Sequence, residues 1–408
     1  MRRIRVAFLI LFFSFATSGC SVVSKELNKY FVDMDSIVAN DYMAVLPMCT
    51  NWKSSRFGTI DCYSIFFKPD GSWNLVKTNF IEYDKPLWNE EGLFLADLQH
   101  EYWFTDNSGV IIHDVKKEGL SRDASAYFNN MFFSLYNWGF SDDGNGYDYE
   151  LVIGNKEKAT RSVIPYFLEG NAVVCNGELF IPTNMHGHEG ETNGGLSERF
   201  LQKLTSTGET EIVMRADSYD GDNGKSEIES MFERICDEEG VIRNLVMVSP
   251  VDDNGVESDF LYYALEVWNT TKKEHTIIPL AFDDGEKINA RIYDFAEVRY
   301  IKDNYIYVTA DQGVIFRIDM TSGLTECVSE PVEKLDINKN YRYSFEYDSV
   351  GNEIYQFVTD SERVNDPYIR IVDMESGKEL ERIVYPNLNL AMEQFVPSSL
   401  VVNPNMSH

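Results

Sequence analysis

Two imidazoles and two carboxylates lie close together in the segment NMHGHEGETNGG, which begins at Asn184. Its side chains His186, His188, Glu189 and Glu191 are nitrogen and oxygen ligands of the kind that zinc and related metals prefer. The order His-x-His-Glu-x-Glu is not an established metal motif, and the surrounding glycines are also typical of a polar loop that holds no metal. We therefore treat these four residues as candidate metal ligands, with a polar loop as the alternative.

A second group of carboxylates could bind a hard cation such as calcium. Asp217, Asp220 and Asp222 belong to the stretch DSYDGDNGKSEIE, which combines acidic residues with glycine as a calcium loop does. The register of an EF-hand fails, because a loop with Gly224 in the glycine position would have Tyr219 as its first ligand. Solvated turns are the alternative here and in the other acidic loops, 141–150, 252–259 and 282–287.

Motifs of the common enzyme classes do not occur in the sequence. It contains no Gly-x-Ser-x-Gly elbow, no HExxH and no phosphate-binding glycine loop. The run from Asp70 to Trp73 has the letters of a sialidase box, Ser-x-Asp-x-Gly-x-x-Trp, at the wrong spacing. A glycosidase needs only two carboxylates, and 66 acidic residues leave any such pair unidentified. We predict no catalytic residue and no cofactor.

Composition limits the partners that these loops could bind. Of the 408 residues, 44% are hydrophobic and 13% aromatic, which is too apolar for a disordered chain. Lys and Arg number 36 against 66 Asp and Glu, for a formal net charge of −30. A surface of this charge repels phosphate backbones, so nucleic acid is not an expected partner.

The N-terminus has the features of a bacterial export signal. Arginines at positions 2, 3 and 5 precede an apolar run that is too short to span a bilayer. Ser18-Gly19-Cys20 then resembles the lipobox of bacterial lipoproteins, although Thr17 stands where that box usually has leucine. The resemblance implies a signal peptide over 1–19, a lipidated Cys20 and a tether over 20–40. The protein would then be anchored to a membrane in the cell envelope, facing outside the cytoplasm; an ordinary secretory signal is the alternative.

Export would also allow disulfides to form. Cys49 and Cys62 lie on two consecutive predicted strands and could pair. Isolated buried thiols are the alternative for this pair, and the same alternative applies to Cys175, Cys236 and Cys327.

The loops described above connect repeated β-hairpins. FRIDMTSGLTECV (316–328) and IRIVDMESGKELERIV (369–384) both read as an apolar strand, Asp-Met-x-Ser-Gly and a second strand. Five further segments have the same form: 64–78, 101–115, 149–164, 199–214 and 263–278. Two weaker copies, 149–164 and 263–278, lack the glycine; where consecutive copies both have it, the glycines are 38 residues (Gly71 to Gly109) or 54 residues (Gly323 to Gly377) apart, which suits four-stranded units. We therefore predict an all-β fold, a β-propeller over 41–408 with seven blades, six or eight being the margin.

The last two hairpins resemble the blade repeats of bacterial quinoprotein-type and YVTN-type propellers. The matching residues are Asp319, Ser322, Gly323, Asp373, Ser376, Gly377 and Lys378. The tryptophan that usually ends the quinoprotein repeat is missing from both, so the resemblance implies propeller blades but no quinone. It also implies a non-catalytic binding or assembly scaffold for a protein or glycan ligand. The alternative is an extracytoplasmic carbohydrate-active hydrolase with carboxylates at the central channel.

A propeller must close its ring, because an open ring leaves strand edges unpaired. The segment 393–404 contains a short apolar stretch after the last hairpin. We predict that it returns to the first blade near residues 42–49, with a disordered end as the alternative.

Overall fold

The computed structural model describes residues 26–50, 62–78, 81, 83–105, 109–119, 121–140, 147–164, 172–185, 198–205, 208–216, 220–221, 224–250, 260–293, 295–332, 342–392 and 395–406. They form seven sheets, the blades, each with four main strands that pair antiparallel. In blades 2 to 7 these four strands follow chain order from the axis outward. The first strand of each blade contacts the first strand of the next around the axis. The predicted seven-bladed β-propeller is thus confirmed.

The strands of blades 2 to 7 follow one another along the chain. From the axis outward, blade 2 contains Leu87–Asn89, Gly92–Ala96, His100–Thr105 and Gly109–Asp114. Blade 3 contains Ser121–Phe128, Met131–Phe140, Tyr147–Gly154 and Ala159–Ile164. Blade 4 contains Val173–Cys175, Glu178–Met185, Glu198–Leu204 and Thr210–Arg215. Blade 5 contains Gly224–Cys236, Val241–Pro250, Tyr262–Asn269 and Glu274–Pro279. Blade 6 contains Phe295–Lys302, Tyr305–Ala310, Val314–Asp319 and Thr325–Cys327. Blade 7 contains Tyr343–Val350, Glu353–Asp360, Tyr368–Asp373 and Glu379–Val384.

A few short elements complete the description. Tyr83–Asp84 pairs in parallel with the first strand of blade 3, and Asp220–Gly221 pairs with the first strand of blade 5. The helical turns are Met34–Ser36, Ala39–Asp41, Asp311–Gly313, Asn389–Met392 and Pro404–Met406. None of the helices in the described ranges is long and apolar enough to cross a membrane.

Blade 1 is built from both ends of the chain. Its three outer strands, Ala44–Thr50, Cys62–Phe67 and Trp73–Thr78, come from the N-terminal region. Its innermost strand comes from the C-terminal region as Phe395–Pro397 and Val401–Val402, both of which pair with Ala44–Thr50. The predicted closure of the ring is therefore confirmed, and the inner edge of blade 1 is covered.

The seven predicted hairpins are the third and fourth strands of the seven blades. In blade 6, Asp319 Oδ1 accepts hydrogen bonds from the backbone nitrogens of Thr321 and Ser322 at 3.0 and 2.8 Å. In blade 7, Asp373 accepts in the same way from the backbone nitrogen of Ser376 at 2.8 Å. The repeated Asp-x-x-Ser letters are thus a turn in which the carboxylate replaces missing backbone partners.

The glycine of the outer turn also lets two blades approach each other. Sheet twist tilts each outer hairpin toward the preceding blade. A Cβ added to Gly323 would lie 2.3 Å from the carbonyl oxygen of Pro279, at the end of blade 5. In blade 1, a Cβ on Gly71 would lie 2.7 Å from the carbonyl oxygen of Val384, at the end of blade 7. These glycines therefore serve the contact between blades as well as the turn.

Aromatic side chains fill the wedges between blades. The ring of Phe67 in blade 1 lies 5.3 Å from that of Phe357 in blade 7 and 4.7 Å from that of Tyr385. On its other side, blade 1 contacts blade 2 through Phe66 and Phe104, whose centroids are 5.9 Å apart. Such rings bury large apolar areas, so the contacts between neighbouring blades are a continuation of the core.

Two disulfides cross-link the propeller. Cys49 and Cys62, opposite each other on neighbouring strands of blade 1, have their sulfur atoms 1.92 Å apart. Cys175 and Cys236 join the first strands of blades 4 and 5, with 2.04 Å between their sulfur atoms. The second pairing was not predicted, because its residues are 61 positions apart and belong to different blades. Cys327 is a free, exposed thiol.

The described part of the predicted tether packs against blade 1. We call residues 26–41 the N-terminal segment. Val32 N donates to the carbonyl oxygen of Leu75, on the fourth strand, at 3.0 Å, and Leu75 N donates to that of Tyr30 at 2.8 Å. The Tyr30 ring stacks on Trp73 with centroids 3.8 Å apart. The segment therefore covers the outer edge of blade 1.

We expect Gly323→Ala to destabilise the propeller far more than Gly351→Ala. Both glycines have left-handed backbones, with φ of 73° and 58°, but a Cβ on Gly351 meets nothing within 4 Å. Gly351→Ala should therefore cost only the backbone strain, about 1 kcal/mol. Gly323→Ala adds a clash with backbone and should cost about 3 kcal/mol or more. Urea unfolding of the two variants measures this, and equal losses would contradict the role of Gly323 between the blades.

Candidate functional site

The two ends of the blade sheets carry connections of different length. Turns from the first to the second strand and from the third to the fourth contain two to five residues. The other connections contain three to fifteen residues and emerge at the opposite end of each sheet, which we call the long-loop face. It comprises the connections 51–61, 97–99, 141–146, 186–197, 251–261, 311–313 and 361–367 within blades, and 79–86, 115–120, 165–172, 216–223, 280–294, 328–342 and 385–394 between blades.

The candidate metal ligands belong to connections of this face. His186, His188, Glu189 and Glu191 lie between Met185 and Glu198, outside the described residues. Asp217 and Asp222 also lie outside them, and of Asp220 only the backbone is described. In the part of the chain that the structure describes, no three His, Cys, Asp or Glu side chains are grouped so that they could hold a metal ion. The two metal sites therefore stay predictions.

Several connections of blades 3 to 5 on the long-loop face are strongly acidic in sequence. The connections 141–146, 186–197, 217–223 and 251–261 together contain eleven Asp or Glu and no Lys or Arg. Sequence reasoning found these stretches one by one, and the propeller topology assigns them to one face.

Large apolar side chains are exposed on the same face. Phe260 and Ile292 are each 40% exposed, Val332 is 39% exposed and Val364 is 71% exposed. All four lie in long-loop connections, around blades 5, 6 and 7. Exposed aromatic and branched side chains are the usual anchors of protein interfaces, and aromatic rings also suit the apolar faces of sugars.

Trp138 in blade 3 is a further exposed apolar side chain toward the same face. It lies near the end of the second strand, is 39% exposed, and has the guanidinium carbon of Arg161 5.6 Å from its ring centroid. A cation over an indole holds the ring in place without burying it.

The most buried charges of blades 4 and 5 bind each other. Arg199 donates two hydrogen bonds of 2.8 Å to the carboxylate of Glu266 in the neighbouring blade. Asn244 and His275 each lie 3.1 Å from the same carboxylate. Burial would raise the pKa of Glu266, but Arg199 and His275 outweigh it and hold that pKa below its usual range. This carboxylate is therefore a tie between blades, not a proton donor.

A second buried network holds the short strand Tyr83–Asp84, which lies in the connection from blade 1 to blade 2. Arg122 Nε lies 2.6 Å from Asp84, and Nη1 lies 4.0 Å from Glu101. Lys117 Nζ is 3.2 Å from Glu101, and Tyr136 donates a 2.5 Å hydrogen bond to that same carboxylate. Two acids and two bases balance one another without solvent, so this cluster too is structural in character.

A smaller cluster on blade 2 is partly open to solvent. His100, 25% exposed, has Nδ1 3.2 Å from Asp97 and Nε2 3.4 Å from Asp114. Tyr102 donates a 2.5 Å hydrogen bond to Asp97, whose other oxygen accepts from the backbone nitrogens of Gln99 and His100. The carboxylate thereby closes the connection 97–99, and both nitrogens of the imidazole face acids. No sequence motif singled out this cluster.

A cavity of about 370 Å³ lies where the first strands of blades 7, 1 and 2 meet. Its lining includes Lys85, Trp88, Asp348 and Ser349 together with the C-terminal strand. Val402 N donates to Asp348 Oδ2 at 2.6 Å, and Asp348 is the one carboxylate of this lining. Hydrolysis of a glycosidic bond ordinarily uses two carboxyl groups, and this cavity does not bring two together.

One known protein family matches nearly the whole propeller in sequence. The family model of the YycP β-propeller domain matches residues 37–401. This chain belongs to the YycP β-propeller domain family. The membership covers the whole ring from the N-terminal segment to the C-terminal strand of blade 1. No curated protein matches the chain.

Several solved structures are similar to this YycP-family chain at low identity. The β-propeller domain of the Trilobed protease from Pyrococcus furiosus is 11% identical, with 85% of this chain and 99% of that chain covered and a TM-score of 0.45. Apo AztD from Citrobacter koseri is 12% identical, with 88% and 98% covered and a TM-score of 0.39. BamB from Moraxella catarrhalis is 10% identical, with 74% and 87% covered and a TM-score of 0.35. At these values the similarities carry no argument about function.

We expect Glu266→Gln to destabilise the protein by about 3 kcal/mol at neutral pH, because it leaves Arg199 buried beside a neutral amide. Since the pKa of Glu266 is depressed in the folded state, its contribution is complete above the ordinary pKa of about 4.3 and is lost as the pH falls. The difference between wild type and variant should therefore shrink in acid. Urea unfolding at several pH values measures both effects.

Glu326→Gln is the matched control for this prediction. Glu326 pairs with Arg317 on the surface, where the two side chains are 51% and 35% exposed. An exposed pair contributes at most about 1 kcal/mol. Equal losses for the two variants at neutral pH would contradict the assignment of Glu266 as a tie between blades.

Proposed function

We propose that this YycP-family propeller is an exported, lipid-anchored binding protein that recognises a protein or glycan ligand through its long-loop face. The contrast between the two ends of the sheets supports this most directly. Short turns close one end, whereas the other carries long connections with exposed Phe260, Ile292, Val332 and Val364. Loops held by a rigid scaffold are the usual place for binding residues.

The cysteines support the exported location. Cys49 with Cys62 and Cys175 with Cys236 are at bonding distance within the propeller. Disulfides persist in oxidising compartments and are rare in the cytosol, where thiols are kept reduced. Together with the lipobox-like Ser18-Gly19-Cys20, they favour an envelope protein held by a lipid on Cys20.

The charges suggest what the ligand surface is like. Eleven acidic residues without a basic one, in the connections of blades 3 to 5, favour a partner with a basic surface. The exposed apolar residues would supply contacts that do not depend on salt. Binding should therefore weaken, but not vanish, as the ionic strength rises.

Cys20→Ser should release the protein from the membrane fraction. Without the thiol there is no site for the lipid, and the apolar run before it is too short to act as a stable anchor. Fractionation together with the intact mass of the mature protein measures the change. Cys327→Ser is the control, because that exposed thiol lies in blade 6 and should have no effect. A Cys20→Ser protein that stays with the membrane would contradict the anchor.

Photo-crosslinking from the long-loop face should capture a ligand that the outer rim does not. We expect a photoreactive residue at Val364 or Phe260 to give a defined cross-linked product in cells. One at Leu380, 46% exposed on the fourth strand of blade 7, should give none.

Calorimetric titration of the soluble protein with envelope glycans, zinc and calcium tests the remaining ligands. Turnover of a glycan in those samples would contradict the non-catalytic binding protein and support the alternative, a carbohydrate-active hydrolase.

A further inference from the structure

We propose that the rim of blade 1 is the membrane-facing edge of the protein and that its partner is the phospholipid headgroup surface. We define this rim as the N-terminal segment, 26–41, and the strand Trp73–Thr78 that it covers. The inference rests on the lipid anchor of the proposed function. It adds which edge of the propeller the anchor holds against the bilayer.

The N-terminal segment is firmly part of blade 1. Leu27 is only 4% exposed and belongs to the hydrophobic core of that blade. Farther along, Ile37 is 1% exposed and packs in the core shared by blades 1 and 2. Backbone hydrogen bonds join Tyr30 and Val32 to Leu75 between these two buried points. From Leu27 onward the chain therefore follows the propeller and cannot act as a free spacer.

This packing leaves very little chain between the lipid and the propeller. Only residues 21–25 separate Cys20 from Glu26, the first described residue. Because a residue extends the chain by at most about 3.6 Å, Glu26 can lie no more than about 20 Å from the lipidated cysteine. A free tether as long as 20–40 would have allowed roughly three times that distance. The attachment point on blade 1 is thus held near the headgroups.

Blade 1 and the other blades differ in net charge. Residues 21–80, which include the N-terminal segment and the three outer strands of blade 1, contain six Lys or Arg and six Asp or Glu. Residues 81–408 contain 27 Lys or Arg and 60 Asp or Glu. Anionic lipids therefore repel blade 1 less than they repel the strongly acidic blades. On the rim itself, two exposed lysines, Lys29 and Lys77, stand against four exposed acids, Glu26, Asp33, Asp35 and Asp41, for a net charge of −2.

Energy transfer from the protein to a headgroup-labelled lipid tests the orientation. A donor dye is attached to Lys77→Cys in blade 1 or, as the matched control, to Glu211→Cys on the fourth strand of blade 4. Both positions are exposed, and both variants carry Cys327→Ser so that one thiol reacts. The lipidated protein is reconstituted in vesicles that contain phosphatidylglycerol. We expect several-fold higher transfer efficiency from position 77 than from position 211.

A lengthened tether provides the second arm. Inserting about twenty Gly and Ser residues after Ser24 gives the propeller a flexible spacer, and the difference between the two positions should then shrink. Equal transfer from both positions in the unmodified protein, or higher transfer from 211, would overturn the inference.

The intact mass of the reconstituted protein separates the two levels of the proposal. A mature protein without a lipid on Cys20 would contradict the proposed anchor and this inference with it. A lipidated protein whose two dyes transfer equally would contradict the orientation alone and leave the anchored binding protein standing.

Discussion

Pairing between the two ends of the chain is the constraint on which the rest of the propeller depends. The C-terminal residues Phe395–Pro397 and Val401–Val402 supply the inner strand of a blade whose other strands form some 350 residues earlier, beginning with Ala44–Thr50. Without them, one sheet edge would face the axis unpaired, and the ring could open at that point. Val402 also bonds to Asp348 of blade 7, so the same short strand joins two blades as well as the chain ends.

The remaining joints use two different kinds of chemistry. Where the Asp-x-x-Ser-Gly turn recurs, backbone meets backbone across the blade boundary, as between Gly323 and Pro279, and only a residue without a side chain fits. At the boundary between blades 4 and 5, buried charges cross instead, between Arg199 and Glu266. These charges satisfy one another inside the molecule.

Local features of the fold could be predicted from the sequence, and distant ones could not. The hairpins of every blade were visible because strand, turn and strand lie within about fifteen residues and follow simple rules of propensity. The disulfide between Cys175 and Cys236 and the ion pair between Arg199 and Glu266 could not be predicted, because their residues lie more than sixty positions apart. No local sequence pattern indicates which residues the closed ring brings into contact. The loops of the candidate site were found, yet their common face followed only from the strand order.

Blade 1 has a mechanical consequence for a protein that is held at its N-terminus. A pull on the N-terminal segment is transmitted first to Leu75 on the outermost strand, and then across the sheet toward the seam formed by Val401–Val402. The disulfide between Cys49 and Cys62 lies across that route and ties the second strand to the third. Force applied at the N-terminal segment would therefore shear the outer strand first, while the disulfide keeps the second and third strands, and the pairing with Val401–Val402 behind them, together.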